Sequence, residues 1–365
     1  MSRRTFTKLM ATLPAAGLLP APAAAKEPVF RTLGRTGLKV SEVGMGVMIT
    51  SDPDIVRAAL DAGVNYFDTA RSYMGGRNED ILGKGLKGRR QEAIVATKCH
   101  HLGRKKRVID TVETSLQALG VDYVDLLQLH NLKSRDDVLD EENIEALQEL
   151  RKAGKVRFFG VTTHSNMVEV MKAAVEAGVF DTVLTSYNFQ SPAEVGETIR
   201  STAAAGLGVI AMKIMTGGYR TDTMPGLNPY QAALRWVLKN PSVSTTIPSM
   251  TTFDELEEDA AVMGTSLSLR DDLSLMQYAS VSSPRYCRAC GSCSGECFFS
   301  ADIPTVLRGL MYAEGYGQPD MARATLAGAV IPCGECGECG VTCRFGIDVR
   351  KRMTAARDLT GPRRA

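Results

Sequence analysis

The sequence is poor in aromatic residues (6%, with one tryptophan) and in histidine (four), and before position 287 it has a single cysteine, Cys99. Its formal net charge is only +2, so no excess of one sign points to nucleic acid. Beyond residue 25 no uncharged apolar run reaches membrane length, and no stable membrane span is expected there. With 365 residues, 44% hydrophobic and 23% charged, the composition is that of a globular chain with room for one large and one small domain.

The remaining cysteines are concentrated in one region. Eight of the nine form two copies of C-x2-C-x2-C-x3-C, at Cys287, Cys290, Cys293, Cys297 and at Cys333, Cys336, Cys339, Cys343. This spacing lets one loop supply three thiolates to an iron–sulfur cube while the fourth points to a second cube. The expected ligand sets are therefore swapped: Cys287, Cys290, Cys293 and Cys343 for one 4Fe-4S cluster, and Cys333, Cys336, Cys339 and Cys297 for the other. Disulfides would have to pair cysteines too closely and regularly spaced to avoid strain, and zinc sites use well-separated pairs. The proline that ends such runs in bacterial ferredoxins is replaced by Phe298 and Arg344. Arg344 also places a positive charge beside a cluster.

The two runs are an internal repeat with an offset of 46 residues, in which Gly291 matches Gly337, Phe299 matches Phe345 and Asp302 matches Asp348. Helical stretches are expected at Ile303–Ala313 and Met321–Val330, separated by Gly315, Gly317 and Pro319. The segment 276–365 resembles a small α-helical two-cluster ferredoxin.

At the other end, Arg3-Arg4 precede an uncharged stretch from Leu9 to Ala25 that closes on Ala23-Ala24-Ala25. Residues 1–25 resemble a twin-arginine signal peptide. That resemblance implies passage through the Tat translocase to the periplasm or another extracytoplasmic space, a route that carries folded, cofactor-loaded cargo. The alternative, a membrane anchor, suits the stretch poorly because it is short and contains Pro14, Pro20 and Pro22. Removing Arg3, Arg4 and Lys8 would turn the net charge from +2 to −1.

From 26 to 275 short apolar runs alternate with amphipathic helical patterns. Strands are expected at Val40–Val47, Val64–Phe67, Ala93–Thr97, Val124–Leu129, Val156–Val161, Thr182–Tyr187, Gly208–Met212 and Val243–Ile247. Eight such units in about 250 residues make an α/β fold, a (β/α)8 TIM barrel, with its active site at the C-terminal strand ends.

Those ends carry Asp68 and Tyr73 after the second strand, Lys98 after the third and His130 after the fourth. Together with Asn78-Glu79, Gly83, Gly160-Val161, Tyr187-Asn188 and Ile247-Pro248, they resemble the motifs of the aldo/keto reductases. The resemblance implies a small carbonyl or alcohol substrate and a nicotinamide cofactor, NAD or NADP. Tyr73 would be the general acid, with its pKa lowered by Lys98; Asp68 would hold Lys98, and His130 would orient the substrate oxygen. The cofactor positions are Thr162, Thr163, Tyr187, Asn188, Ser249 and Glu258.

Several of these depart from the family pattern. Thr162-Thr163 replace Ser-Asn, Ser249 replaces lysine, Glu255 replaces arginine and Asp259 replaces asparagine. A 2′-phosphate facing Glu255 would be repelled, so NAD or a vacant site is expected over NADP. Gly44-Met45-Gly46 reads as backbone packing, and the Arg104–Arg107 charge run as a solvated rim. Two functions follow: an exported iron–sulfur reductase, or an electron-transfer protein with a redox partner and a non-catalytic barrel.

Overall fold

The computed structural model describes residues 28–100, 103–219, 227–293, 295–333, 336 and 339–360. The expected signal segment 1–25, His101 and Gly337 lie outside the described residues.

Among the described residues ten strands run in chain order: β1 (Phe30–Thr32), β2 (Lys39–Ser41), β3 (Met45–Gly46), β4 (Tyr66–Asp68), β5 (Ile94–Cys99), β6 (Val124–Leu129), β7 (Val156–Thr163), β8 (Thr182–Ser186), β9 (Gly208–Met212) and β10 (Thr245–Thr246). β1 and β2 form an antiparallel hairpin, and β3 to β10 form one eight-stranded parallel sheet in sequential order. A parallel bridge between Val43 and Thr246 and the bonds Gly44 N–H to Thr246 O (2.8 Å) and Gly46 N–H to Pro248 O (2.8 Å) bring its two edges together. A Cβ on Gly44 would stand 2.9 Å from Thr246 O, and one on Gly46 2.7 Å from Ile247 O. The paired glycines therefore permit barrel closure.

The expected first strand, Val40–Val47, is two strands. Ser41 Oγ donates to Val43 O (2.7 Å) and turns the chain there. Lys39–Ser41 joins the hairpin and only Met45–Gly46 joins the barrel.

Side chains alternate across each strand. Leu33 and Val40 of the hairpin region meet inward-facing Tyr66, Ile94, Ala96, Leu126, Leu184, Ile210 and Met212 inside the barrel. The opposite strand faces pack under the helices in a second, larger core. Continuing the inward alternation upward, Tyr66 leads to Asp68, Ala96 to Lys98, and Leu126 to Gln128 and His130. The barrel's register thus delivers polar groups to its C-terminal mouth.

The helix Leu269–Ser282 begins at a Ser268–Asp271 capping box and crosses the expected boundary at 275. It is fixed to the barrel by Arg235 to Asp271 (2.9 Å) and by Tyr278 OH to Met215 O (3.0 Å). Three further helices, Ile303–Glu314, Pro319–Leu326 and Val349–Thr360, build a separate small core around Ile303, Val306, Leu307, Leu310, Leu326, Ile347 and Met353. The second expected helix starts earlier than Met321 because Pro319 occupies its first turn, and stops before extended Ala327 and Gly328 (φ 76°). Among the described residues, no helix is long and apolar enough to cross a membrane.

Candidate active site at the mouth of the barrel

The buried centre of the mouth is an ion pair. Lys98 Nζ donates to Asp68 Oδ1, to Thr69 O (2.8 Å) and to Tyr73 OH (3.3 Å). Gln128, which sequence reasoning did not single out, donates from Nε2 to Asp68 Oδ2 (2.9 Å). Parallel pairing of Lys98 with Gln128 fixes this arrangement.

Tyr73 stands on the loop after β4, anchored by Asn78 and Glu79. Asn78 Oδ1 accepts from Thr69 Oγ1 (2.7 Å), while Glu79 accepts from Thr97 Oγ1 (2.6 Å) and pairs with Arg71 (2.8 Å). The Tyr73 ring is edge-on to His130 at 5.9 Å. His130 in turn stacks on His100 at 4.2 Å and lies 6.3 Å from His164. The structure therefore brings Asp68, Tyr73, Lys98 and His130 into one group.

Its electrostatics differ from expectation. The Tyr73 pKa is raised well above 10, first by burial and then by the charge of Asp68. Lys98 was expected to lower it, but its charge is directed to the Asp68 carboxylate. Burial also lifts the Asp68 pKa and depresses that of Lys98, against their mutual attraction. Burial, followed by Lys98 and His100, holds His130 well below 6.5. At neutral pH the site contains a protonated phenol beside a neutral imidazole. Cys99 is buried, and its thiol is pushed up to about 12 by that burial, which fits a packing residue.

Most of the expected cofactor positions hydrogen-bond to other protein groups. Thr162 Oγ1 accepts from Asn131 N–H (2.8 Å), and Thr163 Oγ1 donates to Ser165 O. Tyr187 turns into the outer layer, 5.1 Å from Trp236, with its OH accepting from Asn240 (3.3 Å). Asn188 Nδ2 donates to Lys213 O (3.0 Å) and to Tyr286 OH (2.9 Å). Ser249 is half-buried, and Glu258 accepts from Asn228. Glu255 accepts from Thr251 N–H and Oγ1 (2.6 and 2.7 Å). No cation joins the carboxylates Glu255, Glu258 and Asp259 among these contacts. As placed, these side chains are engaged with protein groups.

The C-terminal helices lie over the mouth instead. Lys213 Nζ donates to Tyr312 OH (2.8 Å), Arg308 Nη1 to Asn131 Oδ1 (3.4 Å), and Lys133 to Asp302. A Cβ on Gly315 would come within 1.8 Å of Gly217 O, so glycine is required where this helix meets the barrel. Burial alone would raise the Tyr312 pKa, yet Lys213, Arg308 and Lys98 outweigh it and hold the phenol below 10. Lys213 (φ 58°) and Asn131 (φ 61°) are both in left-handed backbone directly after barrel strands, strain of the kind that accumulates at functional sites. Lys213, Arg308, Tyr286 and Tyr312 were not expected from sequence, because their meeting depends on how two separately folded segments dock.

A narrow cleft, open to solvent, separates the layers; His164, Ser186, Lys213, Tyr286, Cys287, Arg308 and Met311 are among its walls. On the far side of Cys287 a second small cavity is lined by Cys287, Cys290, Cys293 and Cys343 together with Ile303, Leu307, Ile347 and Val349. Cys287 has Cys293, Cys290 and Cys343 as its charged neighbours, and Cys333 has Cys336, Cys339 and Cys297. Each set thus contains three cysteines of one run and the fourth of the other. No group of three or more His, Cys, Asp or Glu among the described residues is drawn in to the distance one metal ion needs; the thiols stand apart around a cavity. Four thiols around an apolar space fit the donor chemistry of a 4Fe-4S cube. Arg344 lines this cavity and pairs with Glu194 (2.8 Å).

The comparisons with known proteins agree with both halves. Residues 49–226 match the aldo/keto reductase family model, and residues 286–348 match the 4Fe-4S dicluster domain. L-galactose dehydrogenase of Arabidopsis thaliana is 30% identical over 283 residues, covering 64% of this chain and 88% of its own. A probable voltage-gated potassium channel subunit beta of Oryza sativa is 26% identical, covering 63% and 89%. The solved aldo-keto reductase AKR11C1 from Bacillus halodurans superposes with a TM-score of 0.58 at 27% identity, covering 69% of this chain and 96% of its own. The chain belongs to the aldo/keto reductase family, with a 4Fe-4S dicluster domain joined to the C-terminal side of its barrel.

Proposed function

We propose that the protein interconverts a small carbonyl compound and its alcohol, with Tyr73 holding the proton exchanged at the substrate oxygen. The observation that carries this reading is the buried Asp68–Lys98 pair, which places Lys98 Nζ 3.3 Å from Tyr73 OH. The raised Tyr73 pKa keeps that proton on the phenol until negative charge develops on a substrate oxygen. His130, neutral and 5.9 Å from Tyr73 ring to ring, orients the same oxygen.

Cys287, Cys290, Cys293 and Cys343 would hold one 4Fe-4S cluster, and Cys333, Cys336, Cys339 and Cys297 the other. Such clusters exchange single electrons, whereas reducing a carbonyl forms a C–H bond and takes two electrons to carbon together with a proton to oxygen, so a two-electron carrier would stand between them. The family's nicotinamide, NAD or NADP, would supply that hydride when bound and Tyr73 the proton, while Tyr187 and Asn188 are engaged with protein partners. A redox partner protein would then load the C-terminal domain.

The reading also includes export: residues 1–25 address the chain to the twin-arginine route and a periplasmic or extracytoplasmic site. Replacing Arg3 and Arg4 together by lysine should leave the precursor in the cytoplasm; unchanged export would refute this. The chemical reading is tested by turnover of small carbonyls with NADH or NADPH as the hydride donor. Tyr73→Phe should lose about 10²-fold or more, the scale of a general acid, and equal turnover would refute it.

A second reading, an electron-transfer protein whose barrel is not catalytic, is favoured by the C-terminal helix laid over the mouth through Lys213 and Tyr312. It predicts that carbonyls are not reduced by wild type at all.

A further inference from the structure

Among the described residues, two cations face the cleft between the barrel and the C-terminal domain without a carboxylate paired to them. The hydrogen-bond partners of Lys213 Nζ and the Arg308 guanidinium are neutral: Tyr312 OH at 2.8 Å, Asn131 Oδ1 at 3.4 Å and Thr305 Oγ1 at 3.4 Å. Both side chains are half-buried and both line the same cleft. A cation withdrawn from water without a counter-ion is costly, so the arrangement calls for an anion.

The cluster thiolates on the other side of Cys287 are one source of negative charge, but they have cations of their own. Arg288 and Arg344 line that second cavity, where Arg288 is influenced by Cys343 and Cys290 and Arg344 by Cys290. Lys213 and Arg308 instead face His164, whose imidazole burial and these two cations hold well below 6.5. The His164 Nδ1 is buried without a protein partner. Ser186 and Tyr286 add hydroxyls to the same wall.

The cleft also leads to the tetrad. His164 is 6.3 Å from His130, which is 5.9 Å from Tyr73. The Arg308 charge acts on Tyr73, His130 and His164 alike, so a ligand whose charged end sits at Arg308 and Lys213 lies beside the tetrad.

We propose that the cleft binds a short oxo acid or hydroxy acid, its carboxylate held by Arg308 and Lys213 and its carbonyl or hydroxyl directed to His130 and Tyr73. Arg308 belongs to the C-terminal domain, so specificity is contributed across the domain junction. The proposal names the substrate class for the site described under Proposed function and rests on that reading for its carbonyl end.

The test is calorimetry on the cluster-loaded protein with three probes: pyruvate, the neutral analogue hydroxyacetone and inorganic phosphate. Pyruvate should bind at least ten-fold more tightly than either. Arg308→Gln should weaken pyruvate about ten-fold or more and leave hydroxyacetone unchanged, and Arg308→Lys should recover part of the loss. Visible cluster absorption checks that each variant remains assembled, and Lys213→Met provides a second variant with the same expected pattern. Equal binding of pyruvate and hydroxyacetone overturns the proposal, as does phosphate binding as tight as pyruvate, which would mean a plain anion site. If pyruvate binding depends on Arg308 but its reduction survives Tyr73→Phe, the carboxylate site stands and the acid role of Tyr73 falls.

Discussion

Asp259→Asn should stabilise the protein, by an amount that grows with pH. Asp259 is 8% exposed on the helix Phe253–Ala260. Burial, followed by the charges of Glu258 and Glu255, pushes its carboxyl from 3.8 up to about 8. Between those values the folded state binds a proton that the unfolded state has released, so stability falls as pH rises through that window. Each unit is worth about 1.36 kcal/mol. The cost is therefore close to zero near pH 4, about 1.6 kcal/mol at pH 5 and about 4 kcal/mol at pH 7, and it levels off above pH 8. Asparagine keeps the shape and removes the titration. Urea unfolding of wild type and variant, followed by the fluorescence of Trp236, the one tryptophan, gives the difference at each pH. An advantage that does not change between pH 5 and pH 7 would refute the reasoning.

Other consequences are equally open to measurement. Lys98→Met strands the Asp68 carboxylate among buried groups and should cost about 3–5 kcal/mol, with most of it returned when Asp68→Asn is added; the urea midpoint reports both. Lys213→Met should raise the Tyr312 pKa by removing the cation that holds it below 10, so ultraviolet titration should lose its earliest phenolate signal. Cys343→Ser should remove iron from the set containing Cys287 while sparing the set containing Cys333; iron loss confined to the Cys333 set would refute the cross-repeat grouping.

The barrel was legible because parallel strands buried on both faces are written as largely apolar runs, such as Gly208–Met212. Asp68, Tyr73, Lys98 and His130 were legible because they follow those runs in the order of the motifs they resemble. The first strand was misjudged since Ser41 bonds Val43 O within Val40–Val47, and periodicity does not register a turn made by one hydroxyl. The Tyr73 pKa was misjudged because Lys98 has two neighbours competing for its charge and burial outweighs both. Arg308 and Tyr312 occur one helical turn apart on a face that the sequence shows only as half-polar. Their role appears once that face is seated on Lys213 and Asn131.

The central claim is that Tyr73 serves a carbonyl/alcohol couple at the mouth of a barrel joined to a dicluster domain, and stopped-flow absorbance tests it most directly. Cluster-loaded protein is mixed anaerobically with NADH or NADPH and a short oxo acid, and nucleotide absorbance is followed. Oxidation of the nucleotide should depend on the oxo acid and be about 10²-fold or more slower in Tyr73→Phe. Equal rates in both proteins, or no oxidation by wild type, would contradict the account.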